Sequence, residues 1–426
     1  MDSDAERPWK ISFVNAMNDM GVQYIRFPYG HLADNYLWDA DGDWENILSP
    51  KVATMNQAPG KWDWAVNSSS GEFFRDMDFD EYISICNDLG AEPMVVVNIL
   101  SYKYANGPSY EQLKETAIEW VRYANITKKY NVKRWALGNE VDHHADLISQ
   151  EEYKALYSDF ATAMKAIDPT IFIGPGLLGN WHAALLNHDP GNIDFICAHN
   201  YLYKYEWRNQ NYQGWKNATD ILVNNVEKCQ QAVNNSTIPG IEIHVTEMNS
   251  RPWNNNGDAD DLFRALAYGE MMLNAISFKN VVATYVWNTH GPWGGPDENQ
   301  PYNILDLDNN REPRGDIIKL FNENLLDHVL DLKRVHGYLR VYASVSDELD
   351  ELVFLLINKN DQEEEITLEP SNLNTSEFYE MQSYYGNGPF DDDPVLSDWE
   401  KYELSNGKIT ANLPPVSLSV IKIKSD

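Results

Sequence analysis

The chain has 426 residues, of which 43% are hydrophobic, and carries 65 acidic against 33 basic side chains for a net charge of −32. This length and hydrophobic content predict one large domain with a smaller second one and exclude a disordered chain. The strongly negative charge disfavours nucleic acid and anionic lipid as partners, because both would be repelled.

The cysteines and the first residues do not identify the cellular compartment of the protein. Cys86, Cys197 and Cys229 lack metal-ligand spacing and are expected to be buried free thiols. No apolar run approaches the ~20 residues that span a bilayer, so no membrane partner is expected. The opening MDSDAERPWK is polar and shows no signal peptide. Both a cytoplasmic enzyme and the mature form of a secreted or periplasmic one fit this sequence, so localisation stays open.

Short apolar runs alternate with amphipathic helical patterns over about the first 330 residues. The runs predict strands at 22–28, 92–100, 132–140, 170–176, 193–201, 241–249 and 280–290. Helices are predicted at 8–21, 109–130, 149–167, 218–235, 258–277 and 314–329. Apolar strands that are each followed by a helix indicate a parallel sheet covered by helices. Seven such units favour a (β/α)8 TIM barrel over a doubly wound sheet.

The strand count is one short of a complete barrel. A helix at 8–21 precedes the first visible strand, so the barrel's first strand is not apparent. Either that strand was lost from the N-terminus, or the first residues or a neighbouring chain supply a substitute. Unpaired parallel edges would favour a homo-oligomer that covers them.

After residue 331 the pattern changes to short β-like runs separated by polar turns. These runs fall at 337–346, 351–360, 364–370 and 417–426. They predict an antiparallel β-sandwich at 332–426, appended to a catalytic barrel at 1–331.

Polar residues follow several of the predicted barrel strands. In (β/α)8 barrels the active site lies at the carboxyl ends of the strands, so these residues are the candidates for binding and catalysis. They include Arg26, Asn98, Asn139, Glu140, His199, Tyr201, Glu247 and Trp287. Glu140 and Glu247 each end an apolar strand, where an ionised carboxylate is costly unless it is paired or functional.

Two carboxyl groups facing each other across a barrel mouth predict glycoside hydrolysis, in which one protonates the departing oxygen and the other attacks the anomeric carbon or activates water. Tryptophans also concentrate in polar, loop-like stretches, at positions 38, 44, 62, 64, 207, 253, 287 and 293. Such aromatics are suited to stacking on sugar rings. The alternatives are that each glutamate is an ordinary strand-terminal charge, or that the chain is a non-catalytic carbohydrate-binding protein on a degenerate barrel.

No metal or cofactor is expected. His143 and His144 follow Glu140, but adjacent histidines point in different directions on most backbones, and no partner lies at ligand spacing. They are expected to hydrogen-bond locally or to contact sugar. The acidic DADGDW run at 39–44 lacks the glutamate of a calcium-binding EF-hand loop and is expected to be solvated.

The motifs at these strand ends resemble clan A glycoside hydrolases, the retaining (β/α)8 group in which strand 4 ends in Asn-Glu and strand 7 in Glu. WALGNEVD matches the first motif and HVTEMN the second. Within the clan, IRFPYGHLADNYLWD is similar to the Arg-x-Pro-Gly-Gly…Tyr-x-Trp loop of family 51 α-L-arabinofuranosidases, and AHNY to their His-x-Tyr. Related family 39 is the second choice. Tyr29-Gly30-His31 departs from the paired glycines of that loop.

This resemblance implies a retaining O-glycoside hydrolase that acts on a plant or algal oligo- or polysaccharide by double displacement, either arabinofuranosidase-like or an endo-β-glycanase. It implies that Glu140 is the general acid/base and Glu247 the nucleophile. The implied substrate-site roles are Arg26 beneath Glu247, Asn139 on the 2-hydroxyl, His199 close to the acid/base, Tyr201 donating to the nucleophile, and Trp287 as the floor under the sugar. Asn98, at its own strand end, is predicted to bind substrate as well.

Overall fold

A computed structural model describes residues 11–28, 30–38, 54–55, 77–104, 107–202, 212–219, 222–250, 260–290, 303–370 and 377–424. Tyr29, the DADGDW run and the tryptophans at 44, 62, 64, 207, 253 and 293 lie outside these residues. Predictions made for them stay predictions.

The helices and strands follow the predicted alternation. The helices are α1 (Phe13–Asp19), α2 (Phe79–Leu89), α3 (Tyr110–Val121), α4 (Gln150–Ile167), α5 (His182–His188), α6 (Tyr212–Asn217), α7 (Asn224–Asn234), α8 (Leu262–Ile276) and α9 (Pro313–Asn324). The strands before the C-terminal sheet are β1 (Tyr24–Phe27), β2 (Tyr36–Leu37), β3 (Thr54–Met55), β4 (Glu92–Val97), β5 (Arg134–Leu137), β6 (Phe172–Pro175), β7 (Phe195–Tyr201), β8 (Glu242–Asn249) and β9 (Val281–Val286). All seven predicted barrel strands are therefore present, as β1 and β4 to β9.

Several helices begin where the local sequence provides a cap. The hydroxyls of Ser109 and Ser149 accept hydrogen bonds from the backbone N–H groups of Gln112 and Glu152, whose side chains reach back to the serine N–H groups. Asp78 begins α2 in the same way. These reciprocal bonds satisfy backbone donors that the first turn of a helix leaves without partners.

The last helix of this region is shorter than predicted. The pattern 314–329 predicts a helix to residue 329, but α9 ends at Asn324. The backbone N–H of Leu326 donates instead to Ser344 Oγ at 3.0 Å, and the next residues form the strand His328–Val329. Tertiary pairing with the following sheet thus overrides the local helical pattern.

The seven strands that were predicted for a barrel form two parallel sheets, ordered β1-β4-β5-β6 and β7-β8-β9. Asp194, just before β7, joins the sheets: its N–H donates to Ile173 O at 2.9 Å, and its carboxylate accepts the Ile173 N–H at 2.7 Å. β1 and β9, the two outer strands, contact each other but share no ladder pairing within the described ranges. The strand neighbours therefore run around a ring that is open between β9 and β1.

A cavity of about 540 Å³ lies at this opening. It is lined by both outer strands and by α1, α8 and α9, with Tyr24, Val282, Thr284 and Phe321 among its walls. Val282 is 45% exposed, although it belongs to a barrel strand. We call this feature the β1–β9 gap. It lies where the predicted first strand of a barrel is not apparent among the described residues.

The C-terminal residues form two antiparallel sheets. Their strands are β10 (His328–Val329), β11 (Val335–His336), β12 (Leu339–Val345), β13 (Glu351–Asn358), β14 (Glu364–Leu368), β15 (Phe378–Tyr385), β16 (Val395–Leu396), β17 (Glu400–Glu403), β18 (Ile409–Leu413) and β19 (Ser417–Lys424). The larger sheet has the order β10-β12-β13-β19-β15-β16, with β11 on β12 and β17 on β15, and β14 pairs with β18 in a second sheet. Leu356, Ile366, Ile409 and Ile421 meet in the core between them.

The other face of the larger sheet packs against the barrel region through a buried ionic cluster. Glu270 of α8 accepts hydrogen bonds from Arg340 Nε at 2.8 Å, Lys359 Nζ at 3.0 Å and Trp215 Nε1 at 2.7 Å. A buried carboxylate is tolerated because it is fully paired, and the fixed geometry of these bonds sets how sheet and helix meet. The antiparallel sheet already begins at β10, just before the predicted boundary at 331.

The cysteines, Trp38 and the helix lengths bear on three expectations from the sequence. The three cysteines are buried and free, as predicted. Trp38 was predicted to belong to a sugar-stacking surface, and this is wrong: it is 1% exposed, stacks on Trp120 with ring centroids 5.9 Å apart, and donates to Thr116 O. Among the described helices, none combines the length and apolar character needed to cross a bilayer.

Candidate active site

Glu140 lies in a tight turn directly after β5. Its backbone is in the left-handed region, with φ 48° and ψ 39°, which costs a residue with a side chain of order 1–3 kcal/mol. Gly138 has φ 83°. A Cβ on Gly176 would lie 1.6 Å from Gly138 O, so only glycine permits the ends of β5 and β6 to approach this closely. The turn directs a buried carboxylate, 6% exposed, away from the strand.

Three imidazoles surround the Glu140 carboxylate. His199 Nδ1 lies 2.7 Å from one oxygen, while His31 Nε2 and His143 Nδ1 lie 3.3 Å and 3.6 Å from the other. Burial by itself raises the pKa of Glu140, but the contacts with His143 and His199 outweigh burial and hold the pKa well below its ordinary value. The substrate-free site therefore stabilises the ionised carboxylate.

Glu247 lies near the end of β8 and is also 6% exposed. Arg26 Nη1 donates to one carboxylate oxygen at 2.7 Å, and the Tyr201 hydroxyl donates to the other at 2.7 Å. His199 Nδ1 lies 3.4 Å from that second oxygen. Residues from β1 and β7 thus fix this carboxylate of β8 from two sides.

The two glutamates are close together, and His199 lies between them. One oxygen of each carboxylate and one ring nitrogen of His199 all lie within 4.8 Å of one another. The structure therefore brings together Glu140, Glu247, Arg26, His199 and Tyr201, as predicted from the strand ends.

Asn139 connects the carboxylates to a neighbouring turn. Its backbone N–H donates to Asp34 Oδ1 at 3.1 Å, and its side-chain oxygen accepts from Arg26 Nη2 at 2.5 Å. Its side-chain nitrogen lies 3.5 Å from His31 Nδ1. These contacts hold the Asn139 amide beside the two glutamates.

Trp287 follows β9 and packs next to Glu247. Its N–H donates to Met248 O at 3.0 Å, its carbonyl accepts from Asn249 Nδ2, and the Trp287–Asn288 peptide bond is cis. A Cβ on Gly30 would lie 3.0 Å both from the Trp287 ring and from Glu247 Oε1. The indole is half-buried, so part of it is available to a ligand.

The side chain of Asn98 hydrogen-bonds to backbone groups of nearby turns. Its side-chain oxygen accepts the N–H groups of Leu100 and Ser101, and its nitrogen donates to Tyr36 O. These bonds stabilise the turn after β4, and a contact with substrate stays a prediction.

Two residues that are not among the predicted site residues also belong here. His31 and Asp34 come from the short 3-10 helix His31–Asp34 after β1. One ligand atom of each lies within 4.8 Å of the other and of a ring nitrogen of His144. The available signal was the position of His31 just past a strand end; the proximity of His144, 113 positions later in the chain, has no signature in the spacing.

Part of the chain is similar in sequence to α-L-arabinofuranosidases. A family model described as the α-L-arabinofuranosidase 1 domain matches residues 16–220. The chain is 26% identical over 219 residues to the intracellular exo-α-(1→5)-L-arabinofuranosidase of Acetivibrio thermocellus, covering 47% of this chain and 40% of the relative. It is 22% identical over 274 residues to the enzyme of the same name from Halalkalibacterium halodurans, covering 60% and 51%. The chain thus spans only about half of these relatives or less.

Solved structures match over a larger part of the chain. The α-L-arabinofuranosidase of Thermotoga maritima has a TM-score of 0.72 at 17% identity, covering 96% of this chain and 89% of that one. The family 51 α-L-arabinofuranosidase of Thermotoga petrophila has a TM-score of 0.70 at 16% identity, with the same coverage. At this identity the likeness shows a shared fold. Together with the sequence matches, it confirms the resemblance to clan A glycoside hydrolases and to family 51 among them.

Proposed function

We propose that this protein is a retaining O-glycoside hydrolase that removes α-L-arabinofuranosyl groups from plant or algal oligo- and polysaccharides. The observation that carries the proposal is the distance of at most 4.8 Å between a carboxylate oxygen of Glu140 and one of Glu247. Retaining enzymes hold these groups ~5–5.5 Å apart, whereas inverting enzymes leave ~6.5–9.5 Å for a water molecule. The names of the relatives favour an arabinofuranoside over the internal bonds of a β-glycan.

In the first step, a Glu247 oxygen attacks the anomeric carbon while the bond from that carbon to the departing oxygen breaks. The product is a glycosyl-enzyme, and Glu140 gives its proton to the departing oxygen. Arg26 and Tyr201 each hold one oxygen of Glu247 at 2.7 Å. This double restraint supports a nucleophile that is oriented before substrate binds.

In the second step, water attacks the anomeric carbon, breaks the bond to Glu247 and returns a proton to Glu140. The acid role needs a protonated Glu140, although the surrounding imidazoles favour its ionised form. His199 Nδ1 lies 2.7 Å from a Glu140 oxygen, and carboxylate and imidazole therefore form a hydrogen-bonded pair that can carry the proton between the two steps. Glu140 then donates from the pair rather than from an isolated carboxyl group.

Asn139 and Trp287 supply the contacts to the sugar in this proposal. The Asn139 amide is held by Arg26 and lies beside both carboxylates, where it can bind the 2-hydroxyl as charge develops on the ring. The Trp287 ring lies next to Glu247 and is half-buried, which suits a floor beneath the bound sugar.

The non-catalytic alternative, a carbohydrate-binding protein, accounts less well for these contacts. Sugar binding alone does not require two buried carboxylates at this distance, and burying each of them carries a desolvation cost. The left-handed backbone of Glu140 adds a further cost that a catalytic role explains.

Azide rescue tests the proposal. Glu247→Ala should lower turnover of a nitrophenyl α-L-arabinofuranoside by roughly 10³-fold or more, because the covalent nucleophile is lost. Azide should restore release of nitrophenol and yield a glycosyl azide of inverted anomeric configuration, measured by proton NMR. Glu227→Ala, which alters an exposed glutamate on α7, is the matched control and should keep full activity. Full activity in Glu247→Ala, or an azide product of retained configuration, would contradict the mechanism.

The same proposal extends to the architecture. We propose a (β/α)8 barrel over residues 1–331, whose first strand is not apparent in this chain, and a β-sandwich domain over 332–426. The parallel order of the seven strands and the likeness to solved arabinofuranosidases support the barrel. The core between the two antiparallel sheets supports the sandwich.

A further inference from the structure

His31, Asp34 and His144 form a compact group at the edge of the candidate active site, which we call the His31 cluster. One ring nitrogen of each histidine and one carboxylate oxygen of Asp34 all lie within 4.8 Å of one another. The two rings meet edge to face, with centroids 5.3 Å apart. Small movements of these side chains bring three donor atoms to a common centre.

We propose that the His31 cluster binds a divalent transition-metal ion of the zinc class. Two imidazoles and one carboxylate are the donor set that Zn²⁺ and Co²⁺ take in proteins, whereas Mg²⁺ and Ca²⁺ prefer oxygen donors throughout. Three protein donors leave the remaining coordination positions to water or to a ligand.

His31 and Asp34, which both lie on the 3-10 helix His31–Asp34, are held by other groups, as metal ligands commonly are. Asp34 is fully buried and accepts the Asn139 backbone N–H through Oδ1. His31 Nε2 lies 3.3 Å from a Glu140 oxygen. An ion at His31 Nδ1 would replace the 3.5 Å contact of that nitrogen with the Asn139 amide nitrogen. A carboxylate beside one nitrogen of a ligating histidine orients the ring for an ion at the other. Glu140 is in place to act in this way.

His144 supplies the third donor from the far side of the cluster. It follows the 3-10 turn Val141–His143, and its backbone N–H donates to Val141 O at 3.0 Å. Its Nε2 is buried and has no hydrogen-bond partner among the described residues. A buried nitrogen without a partner is costly, and coordination is one way to satisfy such an atom.

An ion can reach the cluster from solvent, since the His31 side chain is 38% exposed. Ion binding would restrain His31, and through it the surroundings of Glu140. Binding itself is measured without substrate, so a failure of the proposed hydrolase activity leaves this test intact.

The test starts from the full chain, stripped of metal by dialysis against a chelator and then titrated with Co²⁺ or Zn²⁺ alone. We expect one ion per chain by equilibrium dialysis, and the visible absorption of protein-bound Co²⁺. His144→Gln should weaken Zn²⁺ binding by at least ~100-fold, the upper range for changes in a metal's supporting shell, because it removes a ligand itself. His144→Cys should retain the ion and add thiolate-to-cobalt charge-transfer absorption.

His188→Gln, which alters an exposed histidine on α5, is the matched control and should leave binding unchanged. The carboxylates of Glu140 and Glu247 with His199 form a second group within 4.8 Å. Glu247→Gln therefore distinguishes the two positions, and it should leave Co²⁺ binding unchanged. Loss of binding in Glu247→Gln with retention in His144→Gln would place the ion between the carboxylates and overturn the proposal. Absence of stoichiometric binding by the unaltered chain would overturn it as well.

Discussion

Gly30 lies where the candidate nucleophile and the Trp287 ring both approach the backbone. A methyl group at this position would lie 3.0 Å from Glu247 Oε1 and from the indole. The carboxylate cannot move without losing contacts, because Arg26 and Tyr201 hold it. Gly30→Ala should therefore lower kcat/KM on a nitrophenyl α-L-arabinofuranoside by roughly tenfold to a hundredfold, since small displacements in an active site have costs of that order.

The matched control is Gly191→Ala, because a Cβ at Gly191 meets no atom within 4 Å. Both variants should unfold near the temperature of the unaltered chain. Unchanged kinetics in Gly30→Ala would show that the carboxylate and the ring have room to move, which would weaken the argument for a fixed nucleophile.

The left-handed backbone conformation of Glu140 depends on specific contacts from the residues around it. A left-handed conformation at a residue with a side chain persists only where neighbouring contacts determine it. Here the His143 N–H donates to Glu140 O at 2.7 Å, and the Val141 N–H donates to Gly176 O at 3.1 Å. The glycines at 138 and 176 and the strained turn thus depend on each other, and together they position one carboxylate.

At the scale of elements, His182 links α5 to β7 and predicts a pH dependence of stability. It is 2% exposed, and its Nε2 lies 2.7 Å from Cys197 O. Burial lowers its pKa to about 4 from the ordinary 6.5. Between these values the unfolded chain binds a proton that the folded chain does not, so stability is lost as pH falls through this window. The loss should approach about 3 kcal/mol.

Urea denaturation of His182→Gln at pH values from 7 to 4 measures this contribution. The variant keeps an amide that can donate to Cys197 O but has no group that titrates in this range. Its free energy of unfolding should fall less steeply with acid than that of the unaltered chain. His188→Gln, at the exposed end of the same helix, should follow the unaltered chain. Parallel curves for all three proteins would assign the acid sensitivity to other groups.

Strand periodicity in the sequence was enough to predict much of this fold, because parallel strands are apolar throughout and their ends are polar. That pattern predicted β1 and β4 to β9, and with them the positions of Glu140, Glu247 and His199. It did not predict β15 to β18, of which β16 and β17 are exposed along their whole length. Trp38 looked like a loop residue because its partner Trp120 is 82 positions away in the chain.

Proximity between loops was the information that the sequence could not provide. His31 and Asp34 on one turn and His144 on another have no spacing that resembles a metal site. They come together because β1 and β5 are both neighbours of β4 in the same sheet. Asn98 stands at a strand end as the candidate residues do, yet its polar atoms are used by the backbone of its own turn.

At the scale of the whole molecule, one side of the parallel-strand region is covered by the C-terminal sheets, and another side is left with unpaired strand edges. The ionic cluster around Glu270 and the sandwich cover α8 on one side. In the β1–β9 gap, two strand edges face each other without ladder pairing in the described residues, around a cavity of about 540 Å³. Unpaired edges and the exposed side chain of Val282 favour association with another strand. We therefore predict that this chain self-associates through the gap.

Sedimentation velocity at physiological ionic strength, which screens the net charge of −32, should show a species of at least twice the 48.9 kDa of one chain. Val282→Lys should shift the protein to monomer, because Val282 is 45% exposed on the wall of the gap and a charge there opposes burial against a second copy. Ile126→Lys alters an apolar residue that is 53% exposed outside the gap, and it should leave the association unchanged. A single monomeric species across the concentration range would contradict the prediction and would indicate that the gap is covered from within the chain. Equal dissociation by both lysine variants would instead indicate association through general surface contacts, since Val282 lines the opening between β9 and β1 and Ile126 does not.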